Sequence, residues 1–183
     1  MSNPIEEPTR QSATDTAQPS DYSRRMSVLL GQRNPLDVLA ETPEVLAHAV
    51  ADLSIDQEAR PEKPGKWSVR QVVQHLADAE MVGGFRFRMI LAHDGPELAG
   101  FDQDLWADRL RYQDSTLADS LPEFTVLRRI NLRLLRAVSP AELERWGMHS
   151  ERGKETLAQL LRLYAGHDLA HLAQIERIRR VVG

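Results

Sequence analysis

Two histidines near the C-terminal end of the chain have the spacing of a metal-chelating pair. His167 and His171 are four residues apart in a segment with a helical pattern of apolar residues. Residues at this spacing lie on one face of a helix, with Cβ atoms ~6 Å apart, so both imidazoles can bind one ion. Both occupy positions where the core of a bundle usually carries leucine or isoleucine. The alternative interpretation is a pair of buried neutral histidines that hydrogen bonds satisfy.

A third histidine, His75, lies on another predicted helix, beside an apolar stripe that can face the same interior. Three neutral histidines hold a divalent ion and leave coordination positions open, as in catalytic sites. Zinc, nickel, copper and iron all suit three imidazoles. Asp78, three residues after His75, is a candidate fourth ligand or orienting carboxylate, with a solvated surface position as the alternative. His48, His93 and His149 are interpreted as incidental.

Five further polar or aromatic residues are candidates for contacting a substrate. They are Arg128, Asn131, Asp102, Trp106 and Gln174. Arg128 and Asn131 interrupt the apolar stripe of a predicted helix, where the guanidinium either binds a carboxylate or extends to solvent. Asp102 and Trp106 lie in a long connection, where functional residues are common, and Gln174 shares a helix face with His171. Arg86, eleven residues after His75 and so near the same side of its helix, is interpreted as a surface charge, with the far end of a cleft as the alternative.

The elements that carry these residues are helical almost throughout, which predicts an all-α four-helix bundle with short extra helices in its connections. Ser68-Val-Arg-Gln71 and Thr156-Leu-Ala-Gln159 are capping boxes, and Thr42-Pro43-Glu44 has the residue order of a helix start. The principal helices are predicted at about 43–53, 69–93, 116–138 and 157–180, with short helices near 35–40 and 140–145. Pro122 is compatible with the third principal helix only in its first turn. Residues 146–154 are predicted to be irregular.

Length and composition restrict the class of protein. The chain has 183 residues, no cysteine and a formal net charge of −4. The missing cysteine excludes thiolate ligands and a cysteine nucleophile, so histidine or carboxylate must hold any metal. The acidic balance argues against a nucleic-acid partner, and no apolar stretch approaches the ~20 residues that span a membrane. Residues 1–22 are predicted as a disordered leader before a single domain at 23–183, and a cytoplasmic location is expected.

Two motifs resemble those of the DinB/YfiT-like family. Pro64-Gly-Lys-Trp-Ser-Val-Arg70 followed by His75-Leu-Ala-Asp78 is similar to the segment around the family's first metal histidine. Gly166-His-Asp-Leu-Ala-His-Leu-Ala-Gln-Ile175 is similar to its last helix. The resemblance covers residues 34–182 and implies a four-helix bundle, often a homodimer. It also implies one divalent metal ion, often zinc or nickel, on His75, His167 and His171.

The same resemblance suggests a reaction class. Better understood members transfer low-molecular-weight thiols, such as bacillithiol or mycothiol, to electrophiles, and many others are designated hydrolases. The leading hypothesis is therefore a thiol-dependent S-transferase acting on small electrophiles. A metal-dependent hydrolase is the first alternative, although no residue is a compelling general base. A non-catalytic metal-binding stress-response module and a bundle with hydrogen-bonded core histidines are the others.

Overall fold

A computed structural model describes residues 21–183 of the chain. The predicted leader lies outside these residues, apart from Asp21 and Tyr22, which begin the first helix. No helix within the described part is both long and apolar enough to cross a membrane. The helices are α1 Asp21–Leu30, α2 Pro35–Val50, α3 Ile55–Ala59, α4 Val69–Ala92, α5 Gln103–Arg109, α6 Leu117–Leu135, α7 Pro140–Leu143 and α8 Leu157–Val182, and the strands are β1 Glu97–Leu98, β2 Trp146–His149 and β3 Gly153–Thr156. A 3-10 turn spans Tyr112–Asp114.

The two longest helices, α4 and α8, begin at the capping boxes that the sequence predicts. The backbone N–H of Ser68 donates to Oε1 of Gln71 at 2.9 Å, and that of Thr156 donates to Oε1 of Gln159 at 2.8 Å. These bonds satisfy N–H groups that a helix N-terminus leaves free. The starts of the two helices that carry the three histidines are thereby fixed.

Two predictions about prolines are wrong. The predicted helix start at Thr42-Pro43 lies inside α2, which runs without a break from its N-cap Asn34. Thr42 is buried and its hydroxyl donates to the carbonyl of Val38 at 2.8 Å, a bond within the helix instead of a cap. Pro122 lies at the sixth position of α6, beyond the first turn. Packing in the bundle therefore outweighs the lost backbone hydrogen bonds.

The long helices α2, α4, α6 and α8 form the four-helix bundle. Packing contacts join α2 to α6, α6 to α4, α4 to α8 and α8 to α2. Helices α2 and α4 thus lie across a diagonal of the bundle, although they are consecutive principal helices. The sequence predicts the number of principal helices but not this order, because the long connections permit several arrangements.

Two apolar clusters fill the bundle and a polar layer lies between them. One cluster includes Leu39, Phe87 and Leu132, and the other includes Leu46, Leu76, Phe124 and Ile175. Buried polar residues occupy the intervening positions on the helices. They are His75, Glu80, Arg128, Asn131, His167 and Asp168. Buried polar groups require partners, so this layer contains the specific polar interactions of the bundle interior.

A small sheet corrects the prediction that residues 146–154 are irregular. Strands β2 and β3 pair antiparallel, with Trp146 opposite Thr156. Strand β1 adds to β2 in parallel, with Leu98 opposite His149. Strands of two and four residues are too short to show a period-2 pattern, and their turn lacks an Asn-Gly or Asp-Gly signal. The sheet matters because it turns the side chain of His149 into the protein.

Helix α1, which is not predicted from the sequence, packs closely on α8. A Cβ atom built on Gly166 would lie 2.1 Å from the carbonyl oxygen of Met26 in α1. Gly166 directly precedes His167. The missing side chain therefore allows α1 to approach α8 beside the histidines.

The substitution Gly166→Ala is expected to destabilise the protein by about 1–2 kcal/mol. In an exposed helix interior this change stabilises by roughly 0.5–1 kcal/mol, but overpacking against backbone costs ~1–3 kcal/mol. The free energy of unfolding, measured in urea, gives the sign. Ala173→Gly, at an exposed position of α8, measures the intrinsic preference in the same helix. A Gly166→Ala variant that is more stable than the wild type would contradict the close packing of α1.

Candidate metal centre

The three histidines on α4 and α8 converge in the polar layer. The Nε2 atom of His167 lies 3.0 Å from that of His75 and 3.1 Å from that of His171. One ligand atom from each residue lies within 4.8 Å of the other two. Zinc–nitrogen bonds of ~2.0–2.1 Å at tetrahedral angles place ligand nitrogens ~3.3 Å apart. The arrangement therefore has the size of a three-histidine metal site.

The protonation of the three imidazoles suits metal binding. Burial, with a smaller effect of His171, lowers the pKa of His75 to about 3. Burial is also the largest cause that lowers the pKa of His167 and that of His171. Nδ1 of His171 donates to Oε1 of Gln174 at 2.8 Å, which leaves Nε2 with a free lone pair. Neutral histidines are the form that binds a metal.

The close approach of the three Nε2 atoms also favours a bound cation. The three converging nitrogens cannot all be satisfied by one another, because a neutral imidazole has only one N–H. The Nδ1 atoms of His75 and His167 are buried and have no hydrogen-bond partner among the described residues. Only the three facing Nε2 atoms bear on the metal, because a metal-bound histidine also needs a partner for its other N–H. The donor set therefore fits a divalent metal ion.

Aromatic rings surround the cluster. The centre of the Trp67 ring lies 5.0 Å from that of the His75 ring. The centre of the Phe101 ring lies 6.4 Å from that of the His75 ring. Trp106 packs on Phe101 at 4.6 Å. A cavity of about 390 Å³ opens beside His75 and His167. Such apolar walls restrict water near the ligands while leaving space for a small molecule.

Two predicted site residues lie outside the cluster. Asp78 is buried and accepts a hydrogen bond from the hydroxyl of Tyr112, and it is not part of the three-histidine group. Asp102 is the N-cap of α5, where its carboxylate accepts from the backbone N–H groups of Asp104 and Leu105 at 3.0 and 2.9 Å. Gln174 contacts His171 at 2.8 Å, and Trp106 packs on Phe101, whose ring lies 6.4 Å from that of His75. Substrate binding by Asp102, Trp106 and Gln174 stays a prediction.

Arg128 and Asn131 lie in a buried network instead of the cavity wall. The guanidinium of Arg128 binds Asp168 at 2.6 Å, Glu80 at 2.9 Å and the carbonyl of Leu39 at 2.8 Å. Asn131 donates to the carboxylate of Glu80 at 2.9 Å. The network thus joins all four bundle helices.

For two buried residues of the cavity, Arg86 and His149, the leading interpretation from the sequence is wrong. Arg86 was interpreted as a surface charge, yet only 5% of it is exposed. Its position eleven residues after His75 returns it to nearly the same side of α4, and the alternative interpretation, the far end of a cleft, agrees with its place in the cavity wall. His149 was interpreted as incidental, and no local pattern in its four-residue strand identifies it.

Comparison with known proteins agrees with this fold. The profile of the DinB superfamily matches residues 39–175, so the chain belongs to the DinB superfamily. A protein of Bacillus subtilis named "Putative metal-dependent hydrolase YfiT" is 32% identical over 169 residues, covering 89% of this chain and 93% of the relative. Relatives with the same designation occur in Oceanobacillus iheyensis, 31% identical with 76% and 81% coverage, and in Bacillus mycoides, 34% identical with 77% and 81% coverage.

A solved structure supports the bundle directly. The structure of YfiT from Bacillus subtilis, described as having an unusual four-helix bundle topology, superposes with a TM-score of 0.74 at 26% identity. The match covers 96% of this chain and 92% of the other. The diagonal placement of α2 and α4 is therefore part of a fold known in a relative.

Proposed function

We propose that this protein is a metal-dependent enzyme that transfers a low-molecular-weight thiol to a small electrophile. The observation that carries the proposal is the convergence of three neutral histidines, two of which, His75 and His167, line a cavity. Three protein ligands on a divalent ion leave a coordination position open, which is the arrangement of catalytic sites. Zinc and nickel are the proposed ions. The homodimer implied by the family resemblance stays a prediction.

The proposed reaction joins the thiol sulfur to an electrophilic carbon. A carbon–sulfur bond forms, the bond to the leaving group breaks, and the thiol proton leaves with that group. A divalent ion bound by the three histidines supplies the positive charge that lowers the pKa of a thiol and favours its thiolate. The protein has no cysteine of its own, so the thiol would come from a second small molecule.

The residues around the cavity would bind and shield these two molecules. Phe101 and Trp106 form an aromatic wall over one side of His75. Tyr164 is buried, with its ring 6.3 Å from that of His167. Burial raises the pKa of Tyr164 to about 12, so its hydroxyl is a hydrogen-bond donor near neutral pH. The aromatic wall favours a thiolate over water as the nucleophile, because apolar surroundings exclude solvent from the reacting carbon.

Hydrolysis is the second candidate, because the relatives compared above are designated metal-dependent hydrolases. Hydrolysis of this kind usually uses a group that takes a proton from water. Among the described residues that line the cavity, the single carboxylate is Glu151, which is exposed on the turn between β2 and β3. A thiol has a much lower pKa than water before it binds a metal (~8.5 against ~15.7), so a bound ion forms a thiolate near neutral pH more readily than a hydroxide. The composition of the cavity therefore favours thiol transfer.

Conjugation of thiols by the zinc- or nickel-loaded protein tests the proposal. We expect cysteine, bacillithiol or mycothiol to react with 1-chloro-2,4-dinitrobenzene, with chloride released for each thioether formed. The variant His167→Ala should reduce this rate by at least ~100-fold, because loss of even an outer partner of a ligand lowers activity ~10–100-fold. His48→Ala is the matched control, since His48 is exposed on α2.

A parallel assay without thiol separates the candidates. Hydrolysis of p-nitrophenyl acetate that disappears in His167→Ala, without any thiol conjugation, would overturn the transferase proposal and support the hydrolase. Metal binding with neither reaction would overturn both and support a non-catalytic metal-binding protein. Conjugation that is equal in the wild type and in His167→Ala would show that the three-histidine cluster is not the reactive site.

A further inference from the structure

Arg86 is a buried cation without an acidic partner in the described part of the chain. It is 5% exposed, and no carboxylate lies within salt-bridge distance, whereas Arg128 has two. Its guanidinium donates to the hydroxyl of Tyr164 at 3.4 Å and to the carbonyl of Ala99, and its Nε has no partner. A buried charge without a counter-charge is unfavourable. An anion entering the cavity would supply that charge.

His149 offers a second unused donor in the same cavity. It is 2% exposed, and its Nδ1 accepts the backbone N–H of Glu151 at 3.1 Å. The proton of the neutral imidazole therefore lies on Nε2, which is buried and has no partner. Burial, followed by Arg152 and Arg86, lowers the pKa of His149 to about 4, so the ring is a neutral donor.

The acidic residues around this part of the cavity do not compensate Arg86. Glu155 is held by Arg152 through two bonds of 2.7 and 2.8 Å. Glu80 binds Arg128. Glu151 lines the cavity from the exposed turn between β2 and β3, and no salt bridge among the described residues joins it to Arg86. The end of the cavity formed by Arg86 and His149 is therefore both positively charged and rich in donors.

Phe101 connects this end of the cavity to the histidine cluster. The Cζ atom of Arg86 lies 5.9 Å from the centre of the Phe101 ring, and the same ring lies 6.4 Å from that of His75. All four residues, Arg86, Phe101, His149 and His75, line one cavity. One small molecule lying over Phe101 can thus reach Arg86 at one end and the histidines at the other.

We propose that Arg86 and the Nε2–H of His149 bind a carboxylate carried by one of the two substrates. A planar guanidinium binds the two oxygens of a carboxylate, and His149 adds one further donor. This inference deepens the function proposed above by naming a charged group of the substrate. It can be tested without turnover, because binding of an acid does not require the reaction.

Binding of benzoate and its neutral analogue benzamide, measured by ligand-observed NMR, tests the subsite. We expect the zinc-loaded wild type to bind benzoate at least ~10-fold more tightly than benzamide, because hydrogen bonds to charged groups are the stronger kind. Arg86→Met should remove this preference, and His149→Leu should reduce it. His149→Gln should retain part of it, since the amide keeps an N–H donor. Arg129→Met, an exposed arginine of α6, should change nothing.

Three results would overturn the subsite. They are equal binding of benzoate and benzamide, a preference that persists in Arg86→Met and His149→Leu, and a preference that disappears when a chelator removes the metal. In the last case the acid would bind the ion. The comparison needs no catalysis, so a failed subsite and a failed transferase give separate results.

Matched substrate pairs assign the carboxylate to the thiol or to the electrophile. Cysteine and cysteamine differ by a carboxylate on the thiol, and chloroacetate and chloroacetamide differ by a charged group on the electrophile. We expect one pair to show an acid preference in the conjugation rate that Arg86→Met abolishes. No Arg86-dependent preference in either pair would contradict a carboxylate on the reacting molecules.

Discussion

Replacement of His167 by alanine is expected to abolish tight binding of a divalent metal ion. His167 is the central residue of the cluster, with its Nε2 3.0 Å from that of His75 and 3.1 Å from that of His171. Its removal leaves two ligands on different helices. Loss of an outer partner of a ligand already weakens metal binding ~10–100-fold, so loss of a ligand should weaken it more. Metal content of untagged protein and titration with zinc measure the effect.

The change in thermal stability on adding zinc gives an independent measure. An ion that binds only the folded state adds about 2.7 kcal/mol at 100 times its Kd, so zinc should raise the Tm of the wild type. We expect no such rise in His167→Ala or His75→Ala, and an unchanged rise in His48→Ala. One metal ion per chain retained by both site variants would show that the three histidines are not the ligands.

Replacement of Arg128 by methionine is expected to destabilise the protein by about 3–5 kcal/mol. Breaking a buried ion pair by removal of one partner leaves an uncompensated charge, and losses of this size are typical. Arg128 is 2% exposed and binds both Asp168 and Glu80. Burial alone would lower the pKa of Arg128, but the two carboxylates raise it above its ordinary value. Urea unfolding gives the free energy.

A matched control and a rescue separate the charge from the shape of the side chain. Arg129→Met, next along α6 and exposed, should change stability by less than about 0.5 kcal/mol. Adding Glu80→Gln and Asp168→Asn to Arg128→Met should recover part of the loss, because the two buried carboxylates are then neutral amides. An Arg128→Met variant as stable as Arg129→Met would contradict a central role of the network.

Helices with strong local signals could be predicted from the sequence. Ser68 and Thr156 each have a glutamine three residues later, and both do cap the helices that carry the histidines. The spacing of His167 and His171 requires only one helix, so their shared face follows from local geometry. The Thr42-Pro43 signal misleads, because the same residues fit inside a helix when a serine or threonine bonds the preceding turn.

The rest depends on contacts between distant residues. The parallel pairing of Leu98 with His149 has no local signature, and without it His149 has no place in the cavity. The partners of Arg128 lie 40 and 48 positions away, on α8 and α4. Such pairing is fixed by packing of the whole bundle, which propensity and periodicity do not describe.

The separation of α4 and α8 along the chain also determines when the histidine cluster can exist during protein synthesis. The two bundle helices made first, α2 and α4, pack on α6 and α8 instead of on each other. His75 leaves the ribosome long before His167, from which it is 92 positions distant. A nascent chain that ends before α8 therefore holds one of the three histidines. We therefore expect the complete three-histidine set only after α8 has been synthesised and packs against α4.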